Sequence, residues 1–436
     1  VVYPYQRFPY QALACEKDVL SMKRLFFPIL IIIISFIAGY QVFSIWRSLS
    51  LSQINPSREK LVRAIRIYSS NPDPYYRLGL FYQWDIRNLD LKASVQFFRK
   101  AIERHPLEQQ YWINLARVFQ RLGENRSSER ALENAIRVFP AGYQGRWISA
   151  NLLLGQGGLE KALPHFTYIL EHYPNQTGVV YDLLSRVGGH TDFVLERVVP
   201  KNPSAIQRYL HYLYEIGDKE SAKKVWAKRA SYEWKPDRPE ALRHIEFLIG
   251  HGNFEEAYRT WKERLREEGL SLPADGNLIA NGGFEKREVL GGGFDWRMGN
   301  VPGAEISLDS SMAFEGKGSL RIVFNGKENV DFRHVYQYVA WQQDKEYVLK
   351  ARMKTRGVTT KSGLKIEVLG AGPAFHMASE TLIGDNDWKE ITLAFRTPAR
   401  SQGGMVRVRR EGTDKFDRFI SGTVWLDHIS LKERGH

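Results

Sequence analysis

Apolar and polar positions follow three patterns in turn along the chain. From Leu25 to Trp46 no charged residue occurs, and Ile29 to Ile34 are apolar without a break. That length matches the roughly 20 residues an α-helix needs to cross a bilayer's hydrocarbon core, so a transmembrane helix is expected over residues 22–48. Between residues 57 and 270 apolar side chains recur at helical spacing, and the pattern itself repeats. Pro72, Pro106, Pro140 and Pro174 stand 34 residues apart. Beyond Gly269 the period falls to two. Ser319–Phe324, Glu346–Ala351, Leu364–Val368, Glu390–Phe395 and Thr423–Asp427 read as short strands between Gly-rich turns, the pattern of an antiparallel sandwich or jelly roll. The expected fold is multidomain: one transmembrane helix, an all-α solenoid over 57–270, a linker at 271–276 and an all-β jelly-roll sandwich over 277–436.

The apolar segment carries its own polarity. Lys23 and Arg24 precede it, and Tyr40, Trp46 and Arg47 close it as interfacial anchors would. Met22 followed by Lys23 and Arg24 reads as the natural start, leaving residues 1–21, with Cys15, as upstream or cytoplasmic sequence. Ala12 to Cys15 faintly matches a lipoprotein cleavage box, but no apolar stretch precedes it. The run exceeds the roughly 7–15 apolar residues of a signal peptide and no small-x-small site follows, so retention as an anchor is expected. Lys23 and Arg24 favour a cytoplasmic N-terminus, and the expected location is a bacterial inner membrane, crossed once, with the bulk of the chain in the periplasm. Arg47, Arg58, Lys60 and Arg63 argue the other way, but long domains translocate largely regardless of charge.

Within the repeats, Trp112, Leu115, Ala116, Phe119, Gly123, Ser128, Leu132 and Ala135 lie between two of the spaced prolines. Small residues let paired helices approach, large ones fill the gap, and proline ends the second helix. The next unit repeats the scheme with Ala150, Leu153, Gly157, Ala162 and Phe166, with Arg146 in the aromatic's place. Gly217, Ala222 and Trp226 match Gly252, Ala257 and Trp261 in spacing, while residues 175–203 are degenerate. This pattern resembles the tetratricopeptide repeat. The resemblance implies a concave groove that takes a protein partner. His190, His211, His244 and His251 form no zinc-protease pair and are expected to pack or face solvent.

The C-terminal part has landmarks of a second family. Asn277-Leu-Ile-Ala-Asn-Gly-Gly-Phe-Glu285, Gly316-Lys-Gly-Ser-Leu-Arg321, Asp387-Trp388 and Val424-Trp-Leu-Asp-His-Ile-Ser-Leu431 resemble jelly-roll carbohydrate-binding modules. The resemblance implies a polysaccharide or oligosaccharide ligand, held by aromatic platforms with polar neighbours. The candidates are Trp296, Tyr336, Tyr338, Trp341, Phe375 and His376, with Arg297, Arg333 and Gln337 as hydrogen-bonding neighbours. Core packing is the alternative for each; Trp388 and Trp425 sit at structural positions of the family. The family also implies a structural calcium, with Glu285 and Asp427 at its acidic positions and oxygen-only ligation suited to that ion. The alternative is that both carboxylates make turn and strand-end hydrogen bonds.

Composition narrows the chemistry. The 436 residues carry a formal net charge of +13, but Lys and Arg are interleaved with acids, so nucleic acid is not an expected partner. One cysteine excludes a disulfide framework. Gly291–Gly293 precedes no helix, Gly370-Ala-Gly372 runs into Pro373, and no Gly-x-Ser-x-Gly elbow occurs, so neither a phosphate loop nor a hydrolase nucleophile is read. A non-catalytic scaffold is expected. Its plan resembles that of tetratricopeptide proteins associated with bacterial exopolysaccharide or O-antigen assembly. A pure protein-interaction adaptor, its sandwich packed on its own helices or on a partner, is the alternative; a glycan-modifying enzyme is a third.

Overall fold

The computed structural model describes residues 12–53, 56–270, 272, 275–372 and 375–435, with side chains from residue 26 onward. The side chains of Cys15, Lys23 and Arg24 and the linker residues Ser271, Pro273 and Ala274 lie outside the described residues. By internal contacts the chain divides into two compact units, Val1–Tyr212 and Leu213–His436. The division falls inside the helical stretch, ahead of the Pro273–Gly276 linker.

The first unit is all helix. α1 (Ala12–Gln53) contains the whole apolar run, and α2 (Arg58–Ile67) folds back against its C-terminal end. Three serines at i, i+4 spacing make that end a packing face. Ser44 and Ser52 bond back to Tyr40 O and Ser48 O, whereas Ser48 Oγ donates to Ala64 O (3.1 Å) and accepts from Asn71 Nδ2 (2.9 Å). Helix pairs follow: α3 (Asp73–Trp84) with α4 (Leu91–Arg104), α5 (Gln109–Arg121) with α6 (Asn125–Val138), and α7 (Tyr143–Gly155) with α8 (Leu159–His172). The degenerate stretch holds two short helices, α9 (Thr177–Arg186) and α10 (Thr191–Arg197), before α11 (Pro203–Glu215).

The repeat residues earn their spacing. Gly123 sits at φ +75°, a left-handed conformation that costs glycine little, and closes the α5–α6 turn. Gly79 lies so close to Phe98 that a Cβ would stand 2.5 Å from the ring. Arg146, where the pattern expects an aromatic, donates to Pro140 O (3.2 Å), as the indole of Trp112 donates to Pro106 O (2.8 Å). Arg146 also stacks on Tyr168 at 4.2 Å.

The second unit opens within the last turn of α11 and continues with α12 (Lys219–Ala227), α13 (Arg238–Gly250) and α14 (Phe254–Glu267). Among the described residues ten strands follow: β1 (Arg297–Met298), β2 (Ala304–Asp309), β3 (Ser319–Asn325), β4 (Phe332–Ala340), β5 (Glu346–Val358), β6 (Lys365–Gly370), β7 (His376–Ala378), β8 (Gly384–Arg396), β9 (Gly403–Arg410) and β10 (Ser421–Glu433). They form two five-stranded antiparallel sheets, β1-β4-β9-β6-β7 and β2-β3-β10-β5-β8. Inward residues of both sheets, among them Ile322, Val335, Leu349, Val368, Val406 and Leu426, make one apolar core. The fold is therefore an α-helical part followed by a β-sandwich, behind one apolar N-terminal helix.

A second core lies between the helices and the sandwich of this unit. Ile245, Leu248, Phe254 and Trp261 from α13 and α14 pack with Ala280, Leu290 and Phe294. Trp261 is fully buried and its Nε1 donates to Gly292 O (3.1 Å). The run Gly291–Gly293 allows this approach: Gly293 has φ +66°, and a Cβ there would lie 2.7 Å from the Trp261 ring.

Candidate functional site

Side chains alternate across the first sheet, so its register decides which residues meet on the outer face. Antiparallel pairing places Arg297 (β1) beside Tyr336 (β4), Tyr336 beside Arg407 (β9), and Arg407 beside Glu367 (β6). The adjacent row runs from Tyr338 through Met405 and Leu369 to His376. Glu367 organises the face. Its buried carboxylate takes Nε and a terminal nitrogen of Arg407 at 2.8 and 2.7 Å, Lys365 Nζ at 3.3 Å and His376 Nε2 at 3.3 Å. Burial pushes the Glu367 carboxyl up, but Arg407 and Lys365 outweigh it and hold the group below the usual range. The result is a fixed set of donors beside the Tyr336 ring.

Half of this face is taken by the unit's own helices. The Glu246 carboxylate of α13 accepts from Arg297 at 2.5 Å and from the Gly293 N–H at 2.7 Å. Phe254 of α14 meets the Tyr338 ring edge-on at 6.1 Å. Arg297 lies over both tyrosines, 5.9 Å from Tyr336 and 5.0 Å from Tyr338. Tyr336, Arg407, Lys365 and His376 keep the other half open.

A cleft of about 940 Å³ lies alongside, lined by Asn253 and Tyr258 of the helices and by Gln342, Gln343 and Gln402 of the sandwich.

The acidic pair lies at the second sheet. Asp427 is buried in β10 and accepts from the N–H groups of Phe314 (2.7 Å), Glu315 (3.1 Å) and His428 (2.6 Å). Burial raises its carboxyl above the ordinary range against those bonds, and the charge of Glu285 raises it further. Glu285 accepts from the Lys317 N–H at 2.9 Å. Both carboxylates flank Gly283, where a Cβ would stand 3.8 Å from Asp427 Oδ1 and 3.9 Å from Glu285 Oε1. Neither has a cationic side chain within ion-pair distance among the described residues. Phe284 and His428, next to the pair, hold φ of 53° and 51°, a conformation uncommon for such side chains. Oxygen donors of this kind suit calcium, but among the described residues no third His, Cys, Asp or Glu joins the two carboxylates.

No family model matches the chain, and no curated protein matches it in sequence. Among solved structures it is similar to YrrB, a TPR protein with an unusual peptide-binding site, at 14% identity over 49% of this chain and 94% of that one, with TM-score 0.25. It is similar to a CBM4 module at 14% identity over 36% of this chain and 99% of that one, TM-score 0.27. It is also similar to a xylan-binding domain from CBM22 at 15% identity over 38% and 99%, TM-score 0.26.

The residues singled out from sequence separate into two groups. Arg297, Tyr336, Tyr338 and His376 come together on the outer face of one sheet. Trp296, Gln337 and Trp341 do not: they are core residues, a correction that follows from strand parity. Trp296 is 6% exposed and packs on Phe284. Gln337 points inward and pairs with both the N–H and the C=O of Ala280 at 2.9 Å. Trp341 is 5% exposed and donates to Ser401 Oγ at 3.0 Å. Phe375 packs half-buried on Trp341 and Phe395, and Arg333 is exposed beside a register shift in β4. Arg407, Glu367 and Lys365 went unread. The alternation Met405-Val-Arg-Val-Arg409 was the signal that marks them.

Proposed function

We propose a membrane-anchored, non-catalytic binding protein of the bacterial envelope. Its helical repeats recruit a protein partner, and its sandwich contacts a glycan on the open half of the β1-β4-β9-β6-β7 face during polysaccharide assembly or export. The row Tyr336–Arg407–Glu367 carries the glycan reading. A sugar ring stacks its apolar side on the face of an aromatic ring while its hydroxyls pair with fixed polar groups, and here the buried Glu367 presets Arg407, Lys365 and His376. A structural calcium between Glu285 and Asp427 would add order to the loops they bond, and the absence of a cationic partner supports that reading. Anchoring is supported by α1 itself. It runs as one helix from the apolar segment into the Ser44–Ser48–Ser52 packing face, so the segment that would be a signal core continues into the fold.

The test is calorimetric titration of the full chain in detergent with neutral and acidic oligosaccharides, with and without chelator. Binding that Tyr336→Ala or Arg407→Ala abolishes supports the assignment; no binding to any envelope polysaccharide overturns it. A second reading, an adaptor whose sandwich is a structural partner of its own helices, is favoured by Glu246 and Phe254 occupying the other half of the face. It expects no glycan binding, but retained capture of a protein partner.

A further inference from the structure

The end of the helical array that meets the apolar helix has a continuous edge. Ser57 caps α2 just after α1 ends, and Ala64 and Asn71 both reach Ser48, so α2 runs antiparallel to α1. The turn after α2, residues 68–71, therefore lies within about one helical turn of Ser48, given a rise of about 1.5 Å per residue. The uncharged run closes at Trp46, two residues before Ser48. That turn is fixed to the next: Arg104 Nε at the end of α4 donates to Ser69 O (2.6 Å). Gln109, just past the α4–α5 turn, donates to Phe139 O (3.2 Å), and Tyr173 OH bonds Ala141 O. The turns after α2, α4, α6 and α8 thus form one connected row that begins at the end of the apolar helix.

The row exposes two large apolar side chains, and the apolar helix leaves the array on the same side. Leu107 is 73% exposed and Phe139 54% exposed, both at turn tips. Three of the four helices that descend to it carry an arginine in the last turn: Arg66 in α2, Arg104 in α4 and Arg137 in α6. Such residues suit the negative end of a helix dipole. They also suit anionic headgroups.

We propose that this row lies against the bilayer surface, with Leu107 and Phe139 at the level of the lipid headgroups, so that the array rests side-on to the membrane instead of standing off it. The inference rests on the anchor reading. A helix of residues 26–46 extends about 32 Å beyond the row, enough for a hydrocarbon core of about 30 Å, and leaves no spacer between core and array. The occupant is a lipid surface, because the chain's own apolar helix leaves the array through that edge.

The experiment uses the full chain with Cys15→Ser, carrying Leu107→Cys, Phe139→Cys or Ile86→Cys, each labelled with an environment-sensitive fluorophore. The variants are reconstituted in vesicles of phosphatidylethanolamine and phosphatidylglycerol. Ile86 is the control: it is 93% exposed in the α3–α4 turn, at the opposite end of the helices. The expected result is loss of fluorescence at 107 and 139 with a headgroup-borne nitroxide quencher, and no loss at 86. Equal accessibility at all three positions in chains that float with the vesicles overturns this inference and leaves the anchor intact. Chains that fail to float with the vesicles overturn the anchor reading and the inference together.

Discussion

Glu246 on α13 and Arg297 at the start of the sandwich are joined at 2.5 Å, and the same carboxylate holds the Gly293 N–H at 2.7 Å. The contact joins a helix of the repeat stretch to the edge strand of the outer-facing sheet, beside an apolar core built from both. The last helix pair is therefore part of the sandwich's fold.

Removing the Trp261 indole tests that. It is fully buried between α14 and the Gly291–Phe294 loop, so Trp261→Ala is expected to destabilise the second unit by about 3–5 kcal/mol in urea unfolding. Glu246→Gln is expected to cost less than about 1 kcal/mol, because its ion pair is partly solvated. Equal effects of the two substitutions would show that the interface contributes little. A fragment confined to residues 276–436 is expected to unfold at lower urea than one starting at residue 213.

The histidine buried in this unit makes stability depend on pH. His244 stacks on Trp226 at 4.1 Å and bonds Tyr214 OH through Nδ1 at 2.9 Å. Burial, helped by the charge of Arg229, pushes it down to about 3. In the unfolded chain it returns to about 6.5. Between these values the unfolded state binds the extra proton, so stability is full above about pH 6.5 and falls as pH drops. The loss at pH 5 is about 2 kcal/mol from this group. His244→Phe is expected to flatten the change in urea midpoint between pH 7.5 and 5, followed by Trp226 fluorescence. An unchanged pH slope in that variant would assign the acid sensitivity elsewhere, His165 being the next such group, pushed down to about 4 by burial.

The repeats were legible because they depend on local geometry. A tight turn needs glycine, as at Gly123, and a close helix approach needs a small residue, as at Gly79. Even the mismatch at Arg146 proved structural, since its guanidinium bonds Pro140 O, the counterpart one repeat on of the Pro106 carbonyl that Trp112 bonds. The sandwich was legible as strands and obscure as a face. Trp296 and Trp341 have the composition of a sugar platform, yet lie inside; Gln337 looks like a surface donor and is locked on Ala280. Only register separates these cases, and a one-residue shift reverses every side chain. β9 was missed because it opens on Gly403-Gly404. A Cβ at Gly404 would stand 1.9 Å from Leu369 O, so strand pairing there excludes the β-branched residues that announce a strand.

The acidic pair gives a metal-dependent expectation. If Glu285 and Asp427 share a calcium ion, millimolar calcium raises the Tm of the chain and a chelator reverses the rise. Asp427→Asn then removes the calcium response. It also lowers stability without calcium, because the amide cannot accept from Phe314, Glu315 and His428 as the carboxylate does. Gly316→Ala provides a second route to the same site: φ is +75° and the added Cβ would meet Glu285 Oε1 at 1.9 Å. A Tm indifferent to calcium, with Asp427→Asn still destabilising, would leave the carboxylates as hydrogen-bonding residues alone.

Arg410 is buried, and among the described residues no carboxylate is bonded to it. Its guanidinium donates instead to Ser362 O (3.1 Å), Asn329 Oδ1 (3.0 Å), Val330 O (2.6 Å) and Arg418 O (2.8 Å). A planar fork reaches four acceptors that one ammonium cannot. Arg410→Met leaves these acceptors unpaired and is expected to cost about 3–5 kcal/mol, since each buried orphan costs about 1–3 kcal/mol. Arg410→Lys is expected to cost as much at pH 7 for a different reason, a buried charge with too few partners. The two separate by pH. A buried lysine has its pKa lowered below the unfolded value of about 10.4, so its unfolded state holds the proton longer as pH rises. Stability of Arg410→Lys therefore climbs between pH 7 and 10 relative to Arg410→Met, measured as the difference in urea midpoints. If the two variants stay parallel over that range, the ammonium has found partners or water, and the acceptors around Arg410 do not need the guanidinium's geometry.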